Sequence, residues 1–341
     1  MIKIITPPHC HKERESNFEL LRLVSQFIIV YYHLFFLFIG KTYDDPIYQA
    51  IQLPLHIGVT VFVLLSGFFS IKASSKGLIK LLSMFFVLTL PETMYYMMNA
   101  NSFRHILFLS SSHFWFIKTY LFLFLASPML NLYWKETTIR QKWYMTCVLG
   151  FVASYMAMTR GDSSMLTGKN LVNFAFLYYC GRMLSYYKDK WKEWRTGYIL
   201  IAYISLNLVL VLGYLYFPCL LQKAIWHFSF SYSSPVLLLN SVLFFMMFGK
   251  MQFRSGMINY LASSSLAIYL FHGCRPYVIG TIGQSAYWLH DNICNKVLFF
   301  LSCAALALFV MLIAIAIDKL LTPVWTMFSK FGTLTYNKLG Y

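Results

Sequence analysis

Charge is scarce in this chain. Asp, Glu, Lys and Arg together make up 12% of its 341 residues, about half of the roughly 25% typical of soluble domains. Long polar loops, fixed-period repeats and low-complexity tracts are also missing, which leaves no room for a separate water-soluble domain. The seven cysteines (10, 147, 180, 219, 274, 294 and 303) form no C-x-x-C pair, so buried apolar thiols are expected. His9-Cys10-His11 lies in a terminal tail, a poor setting for a metal ion. Neither H-E-x-x-H nor G-x-S-x-G occurs, which argues against a zinc hydrolase and a nucleophile-elbow serine enzyme. The opening residues, MIKIITPPHCHKERES, lack an apolar region ending in a small-residue cleavage site. The first apolar helix is therefore expected to be retained.

Apolar residues are abundant, at 59% of the chain, and the mean hydropathy is +0.59. Hydrophobic runs recur along the whole length, the pattern of a polytopic membrane protein. The predicted fold is an all-α transmembrane bundle of about ten spans, at 17–40, 51–71, 78–98, 114–134, 143–158, 170–187, 197–217, 231–249, 257–278 and 297–318. Residues 1–16 and 319–341 are read as tails, and 17–318 as one membrane domain. The net charge of +16 suggests nucleic acid until its placement is considered. One alternating set of loops and tails holds 18 Lys and Arg, whereas the other holds seven: Lys41, Arg104, Arg160, Lys169, Lys223, Arg275 and Lys296. By the positive-inside rule both termini are expected in the cytoplasm. The charge is read as topology, with no nucleic-acid partner.

Aromatic residues form 19% of the chain, and many fall near span ends as an interfacial belt does. The longest external stretches are expected around 99–113 and 279–296, and SFRHILFLSSSHFW suits a short interfacial or re-entrant helix. There His113 and Trp115 are read as interfacial anchors. Pro91, beside Glu92, is expected to kink the third span where neighbours satisfy the freed backbone groups.

The first span, NFELLRLVSQFIIVYYHLFF (17–36), carries Glu19, Arg22, Gln26 and His33. A charge in a membrane helix costs about 2.5–3.5 kcal/mol even on the lenient insertion scale. At about 100° per residue, Arg22, Gln26 and His33 lie at about 300°, 340° and 320° from Glu19, so all four share one narrow stripe. Such a stripe faces the bundle interior or an aqueous cavity. Eleven residues, or about 16 Å of helix, separate Arg22 from His33, so the two suit opposite ends of one long ligand. Arginine donates bidentate hydrogen bonds to phosphate. A desolvated imidazole favours its neutral form, which can act as a general base. A local Glu19–Arg22 ion pair and a hydrogen-bonded packing histidine are the simpler alternatives.

Several segments in order resemble the acyltransferase type 3 family of bacterial integral membrane proteins. Arg22 and His33 match its R-x10-H pattern, and HIGVTVFVLLSGFFSIK (56–72) resembles its second-helix run closing on Ser66-Gly67-Phe68. WFIKTYLFLFLASPMLN (115–131) is similar to its Trp-Phe-x-x-x-Tyr segment, FAFLYYCGRML (174–184) to its Phe-x-x-Gly-Arg helix end, and SLAIYLFHG (265–273) to its Ile-Tyr-Leu-x-His segment. Two features depart from the pattern. Thr60 stands where many members carry an acidic residue, and Lys72, Lys76 and Lys80 replace an arginine pair.

The resemblance implies a multi-pass protein of the bacterial inner membrane. It implies transfer of an acyl group, commonly acetyl, from acyl-CoA to a hydroxyl of a cell-surface polysaccharide or lipid-linked sugar. Acyl-CoA is then a co-substrate, and no bound cofactor or metal is expected. In this reading Arg22, Lys76, Lys80 and Arg182 ring a mouth for CoA phosphates, and His33 takes the acceptor's proton. Glu92, His272, Ser66 and Gly67 are candidates for the acceptor side, although Glu92 also suits a helix kink and Gly67 close helix packing. A transporter or flippase of lipid-linked sugars is the main alternative, since it would use the same stripe as a path. No inverted repeat is evident. A glycan polymerase would more usually need a large external loop, and a membrane scaffold leaves the aligned stripe unexplained.

Overall fold

A computed structural model describes residues 15–100, 114–158, 167–217, 219–274, 277–328 and 330. Every regular element among them is helical. The longer helices are α1 (Ser16–Leu34), α2 (Gly58–Phe69), α3 (Ser75–Ala100), α4 (Trp115–Glu136), α5 (Ile139–Met158), α6 (Leu171–Tyr186), α7 (Thr196–Tyr216), α8 (Cys219–Phe230), α9 (Pro235–Gly249), α10 (Gly256–Ala262), α11 (Ser265–Gly273), α12 (Tyr277–Asn292) and α13 (Lys296–Leu320).

Among the described residues six helical stretches are long and apolar enough to cross a membrane: Ser16–Thr42, Pro46–Phe69, Ser75–Asn99, Trp115–Glu136, Thr196–Tyr216 and Lys296–Leu320. The other four expected spans are also helical but fall short for separate reasons. Arg140 and Lys142 open α5, while α6 has 16 residues and α9 has 15. The stretch 257–278 is broken at Ser263 and Ser264 into α10 and α11. The region 279–296, expected as an external connection, instead contains most of α12, and α8 is a further helix between two expected spans. The tract 101–113 lies outside the described residues.

α1 sits at the centre and contacts α2, α9, α10, α11 and α13. It continues through a π-helical turn, Phe35–Ile39. The chain then re-enters at Asp45, whose side chain accepts from the Ile47 N–H and caps a helix opening on Pro46, a residue suited to a first turn because it needs no N–H partner. Helix α3 runs unbroken through Pro91.

Three hydrogen bonds set α1 against α10 and α11. Ser16 Oγ accepts from Ser255 N at 2.9 Å, Gln26 Nε2 donates to Ser265 O at 2.9 Å, and His33 meets His272 at 3.0 Å. All three join residues 239 apart, so the segments run parallel and in register. The polar stripe of α1 therefore faces α11, which spares its groups from lipid.

The α2–α6 crossing is close enough to bring backbone against backbone. A Cβ added at Gly67 would lie 2.1 Å from Tyr178 O, and one at Gly181 would lie 2.2 Å from Leu64 O. Only glycine permits this approach. One end of the bundle gathers Glu15 against Lys188, Ser16 against Ser255, and Lys319 against Ser263. The other gathers Asp45 against Lys296 and Tyr43 against Asp291.

Candidate active site

Among the cavities along α1, two are of ligand size. The first, of about 390 Å³, is lined by Arg22 and Gln26 from α1, Ser66 from α2, Lys80 from α3, and Tyr120 from α4, with Ser265 and Tyr269 from α11. The second, of about 320 Å³, is lined by His33, His56, Trp115, Lys169, Trp226 and His272 among others. Tyr269 borders both cavities, and its ring packs edge-on against Phe116 at a centroid distance of 5.1 Å. A larger open groove between α12 and α13, about 670 Å³, has no ionisable lining residue among the described residues, so none of them there is suited to move a proton.

The two histidines form a directional relay. His272 is buried, and its Nδ1 lies 2.8 Å from the Ile268 carbonyl oxygen. A carbonyl can only accept, so Nδ1 carries the proton. In a neutral ring Nε2 is then an acceptor, and it lies 3.0 Å from His33 Nδ1. His33 Nδ1 must therefore donate, which assigns the basic lone pair of His33 to Nε2. One turn of α11 backbone thus sets the tautomer of a side chain on α1.

His56 was not singled out by the sequence reading. It is buried and lines the same cavity, and neither ring nitrogen makes a hydrogen bond of good geometry, the Phe230 backbone standing nearest to one of them. Its ring packs against Tyr232 and Phe230 at 4.5 and 4.8 Å. The available signal was one more polar residue opening an apolar run, and that signal is weak.

The other expected residues are distributed as follows. Arg22 lines the first cavity but also pairs with Glu19 at 3.0 Å, so the local ion pair exists. Lys80 shares that cavity. Lys76 is exposed one turn earlier and is not among its lining residues. Arg182 is not a lining residue either and stacks over Trp134 at 5.0 Å. Ser66 Oγ lies 3.3 Å from Tyr120 Oη at the cavity wall.

Gly67 serves the α2–α6 crossing and lines neither cavity. Glu92 is buried and interacts with Cys274, two residues beyond His272. Trp115 lines the His33 cavity instead of standing only as an interfacial anchor. His113 and His9-Cys10-His11 lie outside the described residues. Among the described residues no three His, Cys, Asp or Glu side chains are placed to hold a metal ion.

A helical membrane bundle with a half-buried imidazole in one cavity and cations in another suits group transfer between two bulky substrates. The chain matches the acyltransferase domain family over residues 15–319 and belongs to that family. It is a membrane acyltransferase by family. No curated protein and no solved structure matches it.

Proposed function

We propose that the protein transfers an acyl group, acetyl by preference, from acyl-CoA to a hydroxyl of a cell-surface polysaccharide or lipid-linked sugar. The observation that carries this reading is the Ile268–His272–His33 relay, which assigns a basic nitrogen to a residue lining a cavity large enough for a sugar. Arg22 and Lys80 would receive the CoA phosphates, with Lys76 assisting from the rim. The long thioester arm would reach past Tyr269 towards His33, along the roughly 16 Å of α1 that separates Arg22 from His33.

The chemistry follows from these positions. The acceptor hydroxyl gives its proton to His33 Nε2 as its oxygen attacks the thioester carbonyl. The tetrahedral intermediate collapses, the carbon–sulfur bond breaks, and the departing sulfur recovers the proton from His33. His272 holds the His33 ring in its donor–acceptor sense throughout.

Two end-to-end cavities also suit a transport path, so the test must separate the two. Purified protein in nanodiscs is incubated with radiolabelled acetyl-CoA and candidate glycans. The expected result is label on the glycan, lost in a folded His33→Ala variant. Normal transfer by that variant, or no saturable acetyl-CoA binding by folded wild type, would overturn the reading.

A further inference from the structure

We propose that the His33 cavity binds an anionic sugar, and that Lys169 recognises the carboxylate or phosphate group the sugar carries. This inference rests on the acyltransferase reading above and names the class of its acceptor.

Lys169 is a half-buried ammonium lining the His33 cavity. Among the described residues no carboxylate lines that cavity and Lys169 has no ion-pair partner. Its Nζ lies 5.1 Å from the centre of the Trp115 ring. Burial pulls the pKa of this ammonium down. A ring face offsets only part of the cost of taking an ammonium out of water, whereas an anion supplies a full opposite charge.

The position is rigidly held. Gly168 has φ +70°, and a Cβ there would lie 2.8 Å from Ser233 N. The Tyr232 N–H donates to Thr167 O at 3.0 Å, and Asn173 Nδ2 donates to Gly168 O at 2.9 Å. Asn170, the next residue, caps α6 through the Asn173 N–H. A lysine serving only to reach the membrane surface needs no such pinned turn.

A second observation points the same way. Neither ring nitrogen of the buried His56 makes a well-formed hydrogen bond within the protein, and the residue lines this cavity, where a sugar's hydroxyls would supply donors and acceptors of better geometry. Trp115 and Trp226 add flat apolar walls, so the lining combines apolar surface with a few polar groups, as ligand sites do. The cavity thus offers a cation, hydrogen-bonding imidazoles and rings.

Two sources supply such an anion, the carboxylate of a uronic acid and the phosphate of a sugar–lipid linkage. The probes are methyl glucuronoside, methyl galacturonoside and glucose 1-phosphate, set against methyl glucoside and methyl galactoside. Each is titrated into the protein in nanodiscs, using wild type, Lys169→Gln and Lys169→Arg. Wild type should bind at least one anionic sugar roughly tenfold or more tighter than its neutral counterpart. Lys169→Gln should erase that preference and Lys169→Arg should keep most of it. Preference for the uronosides identifies the carboxylate, and preference for glucose 1-phosphate identifies the phosphate.

Equal binding of neutral and anionic sugars, a preference that survives Lys169→Gln, or no saturable sugar binding by folded wild type would each overturn the proposal. Acetyl transfer is measured on the same preparations. Lysine-dependent anion binding without transfer would sink the enzyme reading and leave this one standing. Transfer to neutral acceptors that Lys169→Gln leaves unchanged would do the reverse.

Discussion

Replacing His272 with alanine isolates what the histidine relay contributes. Two hydrogen bonds end at this ring, one 3.0 Å from His33 Nδ1 and one 2.8 Å from the Ile268 carbonyl oxygen. Without it the half-buried His33 N–H loses its acceptor, at a cost of up to about 1–3 kcal/mol. If that cost falls on the productive ring orientation, transfer slows by roughly five- to 150-fold. His33→Ala removes the base itself and should cost about 10²–10⁴-fold. Because His272 acts through His33, the double variant should be no slower than His33→Ala alone. His272→Gln retains an acceptor and should recover part of the loss. The assay is the initial rate of acetyl transfer in nanodiscs, with the melting temperature of each variant confirming its fold. Losses that add in the double variant would refute the relay and give His272 its own contact with substrate.

Three further outcomes are expected. Arg22→Gln and Lys80→Gln should each weaken acetyl-CoA binding about tenfold to a hundredfold, the worth of one charge-assisted contact at about 1.5–3 kcal/mol. Lys76→Gln should cost less, because that side chain is exposed outside the cavity. Dephospho-CoA thioesters should lose little further affinity in whichever variant has already lost the 3′-phosphate partner. Gly67→Ala should lower the melting temperature, since its Cβ would meet Tyr178 O at 2.1 Å and such overpacking costs about 1–3 kcal/mol or more. Gly256→Ala, with nothing within 4 Å, is the control that should stay near wild type. At the opposite end of the bundle, a hydrogen bond from the Lys296 ammonium holds the Asp45 carboxyl below its usual pKa. A depressed carboxylate stabilises the fold above its unfolded pKa of about 3.9 and loses that contribution as pH falls through the folded value. Melting of Asp45→Asn should therefore fall below wild type at pH 7, and the gap should close as the medium is acidified below about pH 4. A gap that widens on acidification would contradict that sign.

Much of the architecture was legible without coordinates, because lipid imposes strong one-dimensional constraints. A bilayer excludes unpaired backbone groups, so apolar runs of span length must be helices. The stripe of Glu19, Arg22, Gln26 and His33 was equally legible, since helical phase needs only residue spacing. Element lengths were less so. The break between α10 and α11 at Ser263–Ser264 and the helices α8 and α12 depend on neighbours that satisfy their ends. Periodicity does not report those neighbours.

Sequence alone determined the membrane class, the helical content, the polar face of α1 and the resemblance carried by R-x10-H. Only tertiary structure decided what that face meets. His33 and His272 are 239 residues apart, and their contact follows from the parallel packing of α1 against α11. The same packing separated residues that looked alike in sequence. Lys80 lines the Arg22 cavity while Lys76 lies outside it, and Gly67 belongs to a helix crossing while Ser66, its neighbour, faces the cavity. Adjacent residues on a helix point about 100° apart. A composition or motif can therefore name a segment, but the position of each partner helix decides which side chain in it reaches the site.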